Sequence, residues 1–420
     1  MTRAFRQAIA AVLLAGLCQF SFAQDFDREN PERLGFSSEQ LDRLAEALES
    51  YSESGQLAGS ATLVLRHGKI AFLEAYGFAD IAADRRMRDD SIFRIASQSK
   101  AIVSAATMIL QDDGQLLISD PVSKYLPEFA ETTVAVARDD GGYDVVPAAR
   151  QVTIRDLLTH TSGYDYGTGL ARDLWEEAGI TGYYFSDRDE PIRETVRRMA
   201  ALPASEHPGR RWIYGYSIDI LGAVVEAASG MPLDQFLELR LFEPLGMDDT
   251  FFYLPERERD RLATVYASVN GQLQRAPEEG SAGQGAFVDG PRKSFSGGAG
   301  LLSTASDYGR FLQMILNGGE LDGERILGRK TVELMSVNHL EDQFRAGDGM
   351  GLGFSVLEDL GLRGTPGSIG ELGWGGAYHS TYWIDPTEEL VVVHLTQLIP
   401  AGDIDDFGKV RALVYQAIVD

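Results

Sequence analysis

The chain has little cysteine and little histidine, and each scarcity excludes a class of chemistry. Its 420 residues contain one cysteine, Cys18, which lies in an N-terminal apolar segment. Neither a disulfide framework nor a cysteine nucleophile is therefore expected in the mature protein. The six histidines show no metal-ligand spacing, so no metal site is expected, and no cofactor is predicted.

Positive charge is scarce as well. Lys and Arg number 38 against 63 Asp and Glu, which gives a formal net charge of −25. Such a surface repels nucleic-acid phosphates and anionic lipid headgroups, so we expect neither nucleic acid nor a membrane as a partner of the mature chain. Outside the N-terminus no apolar run is long enough for a transmembrane helix. The oligomeric state cannot be inferred from the sequence.

The first 23 residues have the pattern of a secretory signal peptide. Two arginines precede the apolar segment 8–17, and small residues, Ser21 and Ala23, precede the predicted cleavage site. We expect cleavage after Ala23 and a periplasmic or secreted mature protein. A lipoprotein anchor at Cys18 is the alternative, although Leu17 before it is larger than the residue that lipidation favours.

The order of predicted elements indicates an α/β (α+β) fold built from both ends of the chain. Helix and strand patterns fall at 38–53, 61–65, 70–74, 305–317, 353–357, 381–384, 390–395 and 407–419. We interpret residues 24–100 and 291–420 as a discontinuous domain with an antiparallel sheet flanked by helices. Residues 101–290 lack strand alternation and are predicted to form a mainly helical inserted domain.

A candidate nucleophile opens one of the buried helices. Ser97 and Lys100 form the only S-x-x-K in the chain, and a long apolar stretch, 101–110, follows them. Residues three apart share a helix face, so the hydroxyl and the amine should meet. The N–H groups and positive dipole end of a first helical turn favour a developing oxyanion and disfavour an ammonium. Alone, the pattern also fits a helix cap followed by a surface lysine.

Further motifs occur in a fixed order along the chain. They are FRIASQSK (93–100), DPV (120–122), LLTHTSG (157–163), PGRRWIY (208–214), LGM (245–247), GGAGL (297–301) and WGG (374–376). With these motifs the chain resembles the serine β-lactamase and penicillin-binding-protein superfamily, in its class C-like branch with the family VIII carboxylesterases. The resemblance covers roughly residues 35–418. It implies a β-lactamase/transpeptidase-like fold and Ser97 as an acylated nucleophile.

The resemblance also implies a catalytic tyrosine. Class C-like relatives carry Y-x-N, whose tyrosine shares a proton with the serine and lysine. Here Tyr214 keeps the tyrosine, whereas Tyr216 stands in the place of the asparagine. We assign Tyr214 to catalysis and Tyr216 to substrate binding; Tyr216 as the catalytic phenol, or both rings as core or rim aromatics, remain alternatives.

A third motif departs from the antibiotic-resistance pattern. Trp374, Gly375 and Gly376 stand where β-lactamases carry K-T-G, so an indole replaces the lysine that helps hold the drug's carboxylate. The glycines permit close approach of the backbone, and the N–H groups of Ser97 and Ala377 are the expected oxyanion donors. Trp374, Gly375, Gly376 and, after the turn, His379 are expected to contact substrate. A β-bulge beside a packed tryptophan is the structural alternative.

Two features that could suggest further catalytic or binding roles are interpreted as structural. His160 lies in the LLTHTSG motif, and the glycines at 297–300 lack a phosphate-loop lysine, so both are interpreted as packing.

Together the patterns predict a serine hydrolase that cleaves short-chain carboxylic esters, its partner being a small-molecule ester. Alternatives are a β-lactamase, a D-amino-acid peptidase, an amide hydrolase of the same fold, or a non-catalytic penicillin-binding-like protein.

Overall fold

The computed structural model describes residues 26–280 and 282–420. The predicted signal peptide, with Cys18 and the cleavage site after Ala23, lies outside these residues. Within the described ranges, none of the helices is both long enough and apolar enough to cross a membrane.

Helices alternate with short strands along the chain. The helices α1–α12 are Ser38–Glu53, Ser99–Asp112, Ile154–Leu158, Arg172–Glu177, Ile192–Met199, Ser217–Ser229, Leu233–Leu237, Glu243–Leu245, Ala305–Leu316, Arg329–Met335, Leu360–Arg363 and Asp406–Gln416. Short 3-10 helices are Pro31–Leu34, Ala96–Gln98, Val122–Lys124, Pro127–Phe129 and Glu256–Arg261, and Glu238–Phe242 is a π-helical turn.

The strands β1–β16 are Gly59–Arg66, Lys69–Asp80, Arg85–Arg86, Phe93–Arg94, Thr133–Ala137, Tyr143–Pro147, Tyr266–Val269, Gln272–Arg275, Leu302–Ser303, Glu320–Leu321, Glu324–Arg325, Asp348–Met350, Ser355–Leu357, Leu372–Gly376, Ser380–Asp385 and Leu390–Thr396. Eight of them form one sheet in the order β12-β13-β14-β15-β16-β1-β2-β3, and every neighbouring pair is antiparallel. The predicted sheet from both ends of the chain is confirmed.

Helices cover both faces of this sheet. On one face α1 and α12 pack on outward side chains such as Val64 and Val392. On the other face α9 packs on the alternate side chains, including Leu63 and Val393, which belong to the main core. Because both faces are covered, every residue of β1 is buried, and its sequence is an apolar run rather than an alternating one.

Local sequence accounts for the first elements. The Ser37 hydroxyl accepts the Gln40 N–H at 3.3 Å and caps α1, whose leucines at 41, 44 and 48 are buried. The β1–β2 turn places His67 and Gly68 at φ 52° and 71°, the left-handed conformation that a tight hairpin needs. The predicted helix at 38–53 and the predicted hairpin are therefore confirmed.

The central part of the chain carries α2–α8 and two small hairpins, β5–β6 and β7–β8. Helix α2 is buried along most of its length and packs on α6, so it joins the helical region to the strands that precede it. The boundaries 101–290 for a helical insertion stay a prediction.

Candidate active site

Ser97 lies on a tight turn at the start of a buried helix. It occupies the 3-10 turn Ala96–Gln98, and Lys100 follows in the first turn of α2. Ala96, directly before the serine, has a φ of 43°, a conformation that costs a residue with a side chain about 1 kcal/mol or more. The Lys100 amine, almost fully buried, lies 3.1 Å from the Ser97 hydroxyl. The predicted Ser97–Lys100 contact is present.

Three oxygen atoms surround the Lys100 amine. Nζ is 2.6 Å from the Gly298 carbonyl, 3.1 Å from the Ser97 hydroxyl and 3.2 Å from the Tyr166 hydroxyl. The carbonyl can only accept, whereas each hydroxyl can donate or accept. An ammonium can donate to all three, and a neutral amine can donate to Gly298 and Tyr166 while its lone pair accepts the Ser97 proton. The geometry therefore suits both protonation states of a proton-transfer group.

A buried carboxylate fixes the Gly298 carbonyl. Asp219 Oδ1 accepts the Ser296 hydroxyl at 2.6 Å and the Gly298 N–H at 3.1 Å. Burial raises the pKa of Asp219, while the nearby Lys100 charge acts in the opposite direction. A Cβ on Gly298 would lie 2.4 Å from Asp219 Oδ2, so only glycine fits there. The glycines at 297–300 are close-packed, as the sequence indicated, and the Gly298 carbonyl also accepts a hydrogen bond from Lys100.

Tyr214 reaches the site by its ring rather than by a hydrogen bond to the lysine. Lys100 Nζ lies 4.7 Å from the Tyr214 ring centroid, and the Tyr214 hydroxyl accepts the Trp374 indole N–H at 3.1 Å. The hydroxyl that contacts Lys100 belongs to Tyr166, a residue that sequence reasoning missed. Burial, and then the neighbouring Tyr214, raise the pKa of Tyr166 well above its usual value, so this phenol stays protonated. Its position three residues after LLTHTSG is a weak sequence signal.

The His160 ring packs against the Tyr214 ring. Its ring centroid lies 4.7 Å from that of Tyr214, and the imidazole is fully buried. Burial, with the Lys100 charge, holds the pKa of His160 well below its usual value. The imidazole is therefore a neutral packing group, in line with its structural interpretation.

Tyr216 does not line the cavity, and its assignment to substrate binding is corrected here. Its side chain is fully buried, stacked on Trp175 at 5.4 Å between centroids and in edge contact with Tyr166 at 5.2 Å. The reason is its place directly before α6, which turns its ring into the helical core, while Tyr214 lines the cavity. Tyr216 thus packs against Tyr166.

Strand β14 passes close to the nucleophile turn. A Cβ on Gly376 would lie 2.5 Å from the Ile95 carbonyl, and one on Gly375 would lie 2.7 Å from the Ser380 carbonyl. Gly376 therefore allows the end of β14 to approach Ile95, just before the nucleophile turn, and Gly375 allows close pairing with β15. Among the described residues, no acceptor takes the Ala377 N–H. Ser97, Trp374, Gly375, Gly376 and Ala377 all line one cavity.

His379 is placed beside this strand but not in the cavity lining, so the expected substrate contact is corrected too. Its Nε2 forms a 2.7 Å hydrogen bond with Asp406, which also contacts His394 at 3.3 Å. The ring stacks on Phe407 with centroids 4.1 Å apart. Although burial acts to raise it, the pKa of Asp406 is held far below its usual value by these two imidazoles. His379 thus fastens the turn after Ala377 to α12.

The cavity measures about 800 Å³ and has two chemically different ends. Near Ser97 it is aromatic: Tyr166, Tyr183, Tyr214 and Trp374 line it. Away from Ser97, arginine side chains line it, including Arg345, which lies 6.0 Å from the Trp374 ring. Position 374 itself carries no cation, and Arg345 belongs to a separate segment of the chain, just before β12. Among residues 26–280 and 282–420, no group of three or more His, Cys, Asp or Glu side chains is placed so that it could hold a metal ion.

The sequence profile of the beta-lactamase family matches residues 44–414. The chain belongs to the beta-lactamase family. Relatives of similar length include Protein Rv1367c of Mycobacterium tuberculosis (strain ATCC 25618 / H37Rv), 34% identical over 381 residues, which cover 87% of this chain and 92% of that protein. Esterase EstB of Burkholderia gladioli is 34% identical over 368 residues, covering 83% of this chain and 88% of that protein.

Among solved structures, that of "EstCE1, a hydrolase with promiscuous acyltransferase activity" superposes with a TM-score of 0.77 and 29% identity, covering 91% of this chain and 99% of that one. The β-lactamase/transpeptidase-like fold predicted from the motifs is therefore confirmed, and so is the branch, because named relatives are esterases. Within the beta-lactamase family this chain is a serine hydrolase.

Proposed function

We propose that this serine hydrolase cleaves short-chain carboxylic esters through an acyl-enzyme formed on Ser97. The observation that carries the proposal is the Ser97 hydroxyl 3.1 Å from a buried Lys100 amine, at the aromatic end of a cavity. The similarity to EstB and EstCE1 supports ester rather than lactam chemistry. So does Trp374, which offers an apolar face in place of a lysine.

In the first step the Ser97 oxygen attacks the ester carbonyl carbon, and its proton passes to Lys100. The bond from the carbonyl carbon to the alkoxy oxygen then breaks, and the alcohol leaves with a proton returned by Lys100. Tyr166 accepts the second N–H of the amine, and Gly298 the first, so the lone pair is directed at Ser97. Such positioned proton transfer contributes about 10²–10⁴-fold to rate.

In the second step water replaces the alcohol. It attacks the acyl carbon, gives its proton to Lys100, and the ester bond to Ser97 breaks as that proton returns to the serine oxygen. The products are one carboxylic acid and one alcohol per ester, and the side chains end as they began. The N–H groups of Ser97 and Ala377 are the proposed donors to the oxyanion in both steps.

The aromatic wall favours small acyl groups. Trp212 stacks on Phe344 and Tyr214, with centroids 4.6 and 5.7 Å apart, and Tyr214 leans on Trp374 at 5.5 Å. Stacked rings are stiff, because each loses contact area if it moves alone. Of these rings Tyr214 and Trp374 line the cavity, and we propose that this stiff pair limits the acyl group at Ser97 to short chains such as acetyl or butyryl.

A panel of 4-nitrophenyl esters tests the proposal. We expect acetate and butyrate to be hydrolysed faster than decanoate, a matched 4-nitroanilide to react slowly, and penicillin turnover to be weak or absent. The Ser97→Ala variant controls for background hydrolysis. Penicillin turnover equal to ester turnover would contradict the substrate class, and faster decanoate cleavage would contradict the size limit. Trp374→Lys, which adds a cation, is expected to raise penicillin turnover relative to ester turnover.

A further inference from the structure

The cavity wall away from Ser97 differs from the rest of this acidic chain. Its charged lining residues are three arginines, Arg345, Arg363 and Arg411, and one carboxylate, Asp348. The chain as a whole carries a formal net charge of −25. An arginine-rich wall in an acidic protein needs a local explanation, because the negative charge of the whole chain would repel an anion.

Two of the three guanidinium groups are compensated by a buried acid. Glu371, fully buried, contacts Arg363 Nη1 at 2.9 Å and binds both Arg411 terminal nitrogens at 2.8 Å. Arg411 also lies over the Trp383 ring at 4.4 Å. The Tyr415 hydroxyl lies 2.8 Å from both Glu371 and a further buried acid, Asp385, outside the cavity lining. The charges of Arg363 and Arg411 are therefore compensated by buried carboxylates beside the cavity.

Arg345 is different, because its side chain lines the cavity and is 56% exposed. Its Nε donates to Asp348 at 2.7 Å, and Nη2 lies at the same distance from that carboxylate. Asp348 is shared, since Arg363 lies 3.6 Å from its other oxygen. The Nη1 edge of Arg345 forms no hydrogen bond within residues 26–280 and 282–420.

Two aromatic rings hold this guanidinium in place. Its Cζ lies 5.3 Å from the Phe344 ring centroid and 6.0 Å from that of Trp374. The Trp374 indole in turn donates to Tyr214, the ring beside Lys100. The Arg345 guanidinium is planar, packs against these two rings and keeps its Nη1 edge free. This geometry matches that of a planar carboxylate.

We propose that Arg345 makes this cavity a site for esters that carry a carboxylate, with the ester carbonyl at Ser97 and the carboxylate on the Arg345 Nη1 edge. The inference rests on the proposed esterase function and names its substrate class. The purely structural reading, in which Arg345 only fixes its loop through Asp348, makes a different prediction about substrate charge.

The experiment compares matched esters. One pair, mono-(4-nitrophenyl) adipate and 4-nitrophenyl hexanoate, varies charge in the acyl group; the other, 4-acetoxybenzoate and phenyl acetate, varies it in the leaving group. Arg345→Gln is expected to lower kcat/KM about tenfold for at least one anionic ester and less than twofold for its neutral partner. Arg345→Lys should recover part of the loss. A relative loss below threefold for both pairs would overturn the proposal.

A matched control separates the local contact from net charge. Arg43 on α1 is similarly exposed, at 53%, and pairs with Glu39 in an ordinary surface contact. Arg43→Gln removes the same charge and is expected to leave both ratios unchanged; an equal loss there would overturn the local contact. In the wild type, added salt should lower kcat/KM for the anionic ester, because it screens Arg345. A rise with salt would mean that bulk repulsion dominates and would also refute the proposal.

A binding measurement keeps the two proposals separable. Calorimetric titration with benzoate requires no turnover, and we expect Arg345→Gln to weaken benzoate binding several-fold while Arg43→Gln does not. If neutral esters are hydrolysed through Ser97 but Arg345→Gln changes neither selectivity nor benzoate binding, only the carboxylate inference fails. If no ester is hydrolysed, the proposed function fails, and an unchanged benzoate affinity would then overturn the carboxylate site as well.

Discussion

Replacing Gly298 by alanine perturbs a backbone position that joins Lys100 to a buried carboxylate. The Gly298 carbonyl accepts from Lys100 at 2.6 Å, and its N–H donates to Asp219 at 3.1 Å. The new Cβ would lie 2.4 Å from Asp219 Oδ2, well inside ordinary contact distance. Either the carboxylate or the peptide must therefore move by about 1 Å.

Such a displacement is large for a proton-transfer site. A misplacement of about 1 Å typically costs about 10²-fold in rate, or about 2.7 kcal/mol of transition-state stabilisation. We therefore expect Gly298→Ala to lower kcat for 4-nitrophenyl butyrate about 10²-fold and to change KM little, because the cavity wall is intact. Gly298 has no positive φ, so backbone strain does not contribute. Steady-state kinetics with the folded variant measures the effect.

The control is a second glycine-to-alanine change. At Gly361 in α11 the nearest atom to an added Cβ is the Asp359 Oδ1, at 3.3 Å, close to an ordinary contact distance. Gly361→Ala should keep kcat within about twofold of the wild type. If folded Gly298→Ala keeps kcat within threefold of wild type, the reasoning that Asp219 positions Lys100 through Gly298 is refuted.

Two further predictions concern the phenols and a buried acid. Tyr166→Phe removes a hydrogen bond to Lys100 and is expected to lower kcat about 10²-fold. Tyr214→Phe removes only the acceptor of the Trp374 N–H and should lower kcat about tenfold, whereas buried Tyr216→Phe should change it less than twofold; the reverse order would contradict the site. Burial raises the pKa of Asp307 to about 7, so the folded state binds its proton more tightly than the unfolded state. Stability should fall by up to about 4 kcal/mol as pH rises from 4 to 7, and Asp307→Asn should flatten that slope in thermal unfolding.

Local patterns predicted the first elements and the contact between Ser97 and Lys100 well. The cap at Ser37 and the leucine spacing placed α1, and the spacing of Ser97 and Lys100 brought their side chains together, because both features depend on residues near in sequence. The strands at both ends of the chain predicted a shared antiparallel sheet, and the structure adds their order. These are properties that a helix period or a hairpin turn encodes directly.

Contacts between distant segments were less predictable. Tyr166 meets Lys100, and Arg345 meets Trp374, only because separate loops converge on β14 and α2. Tyr214 and Tyr216 are two residues apart, yet the start of α6 turns one ring to the cavity and the other to the core. Their different roles depend on packing, which the sequence spacing alone does not distinguish.

Trapping the acyl-enzyme tests the central claim most directly. The protein is mixed with 4-nitrophenyl butyrate, quenched with acid during turnover, digested and analysed by mass spectrometry. The account predicts a butyryl group on the peptide that contains Ser97, no adduct in Ser97→Ala, and a kcat at least about 10³-fold lower in that variant. A butyryl group on another residue, or near wild-type turnover by Ser97→Ala, would contradict it.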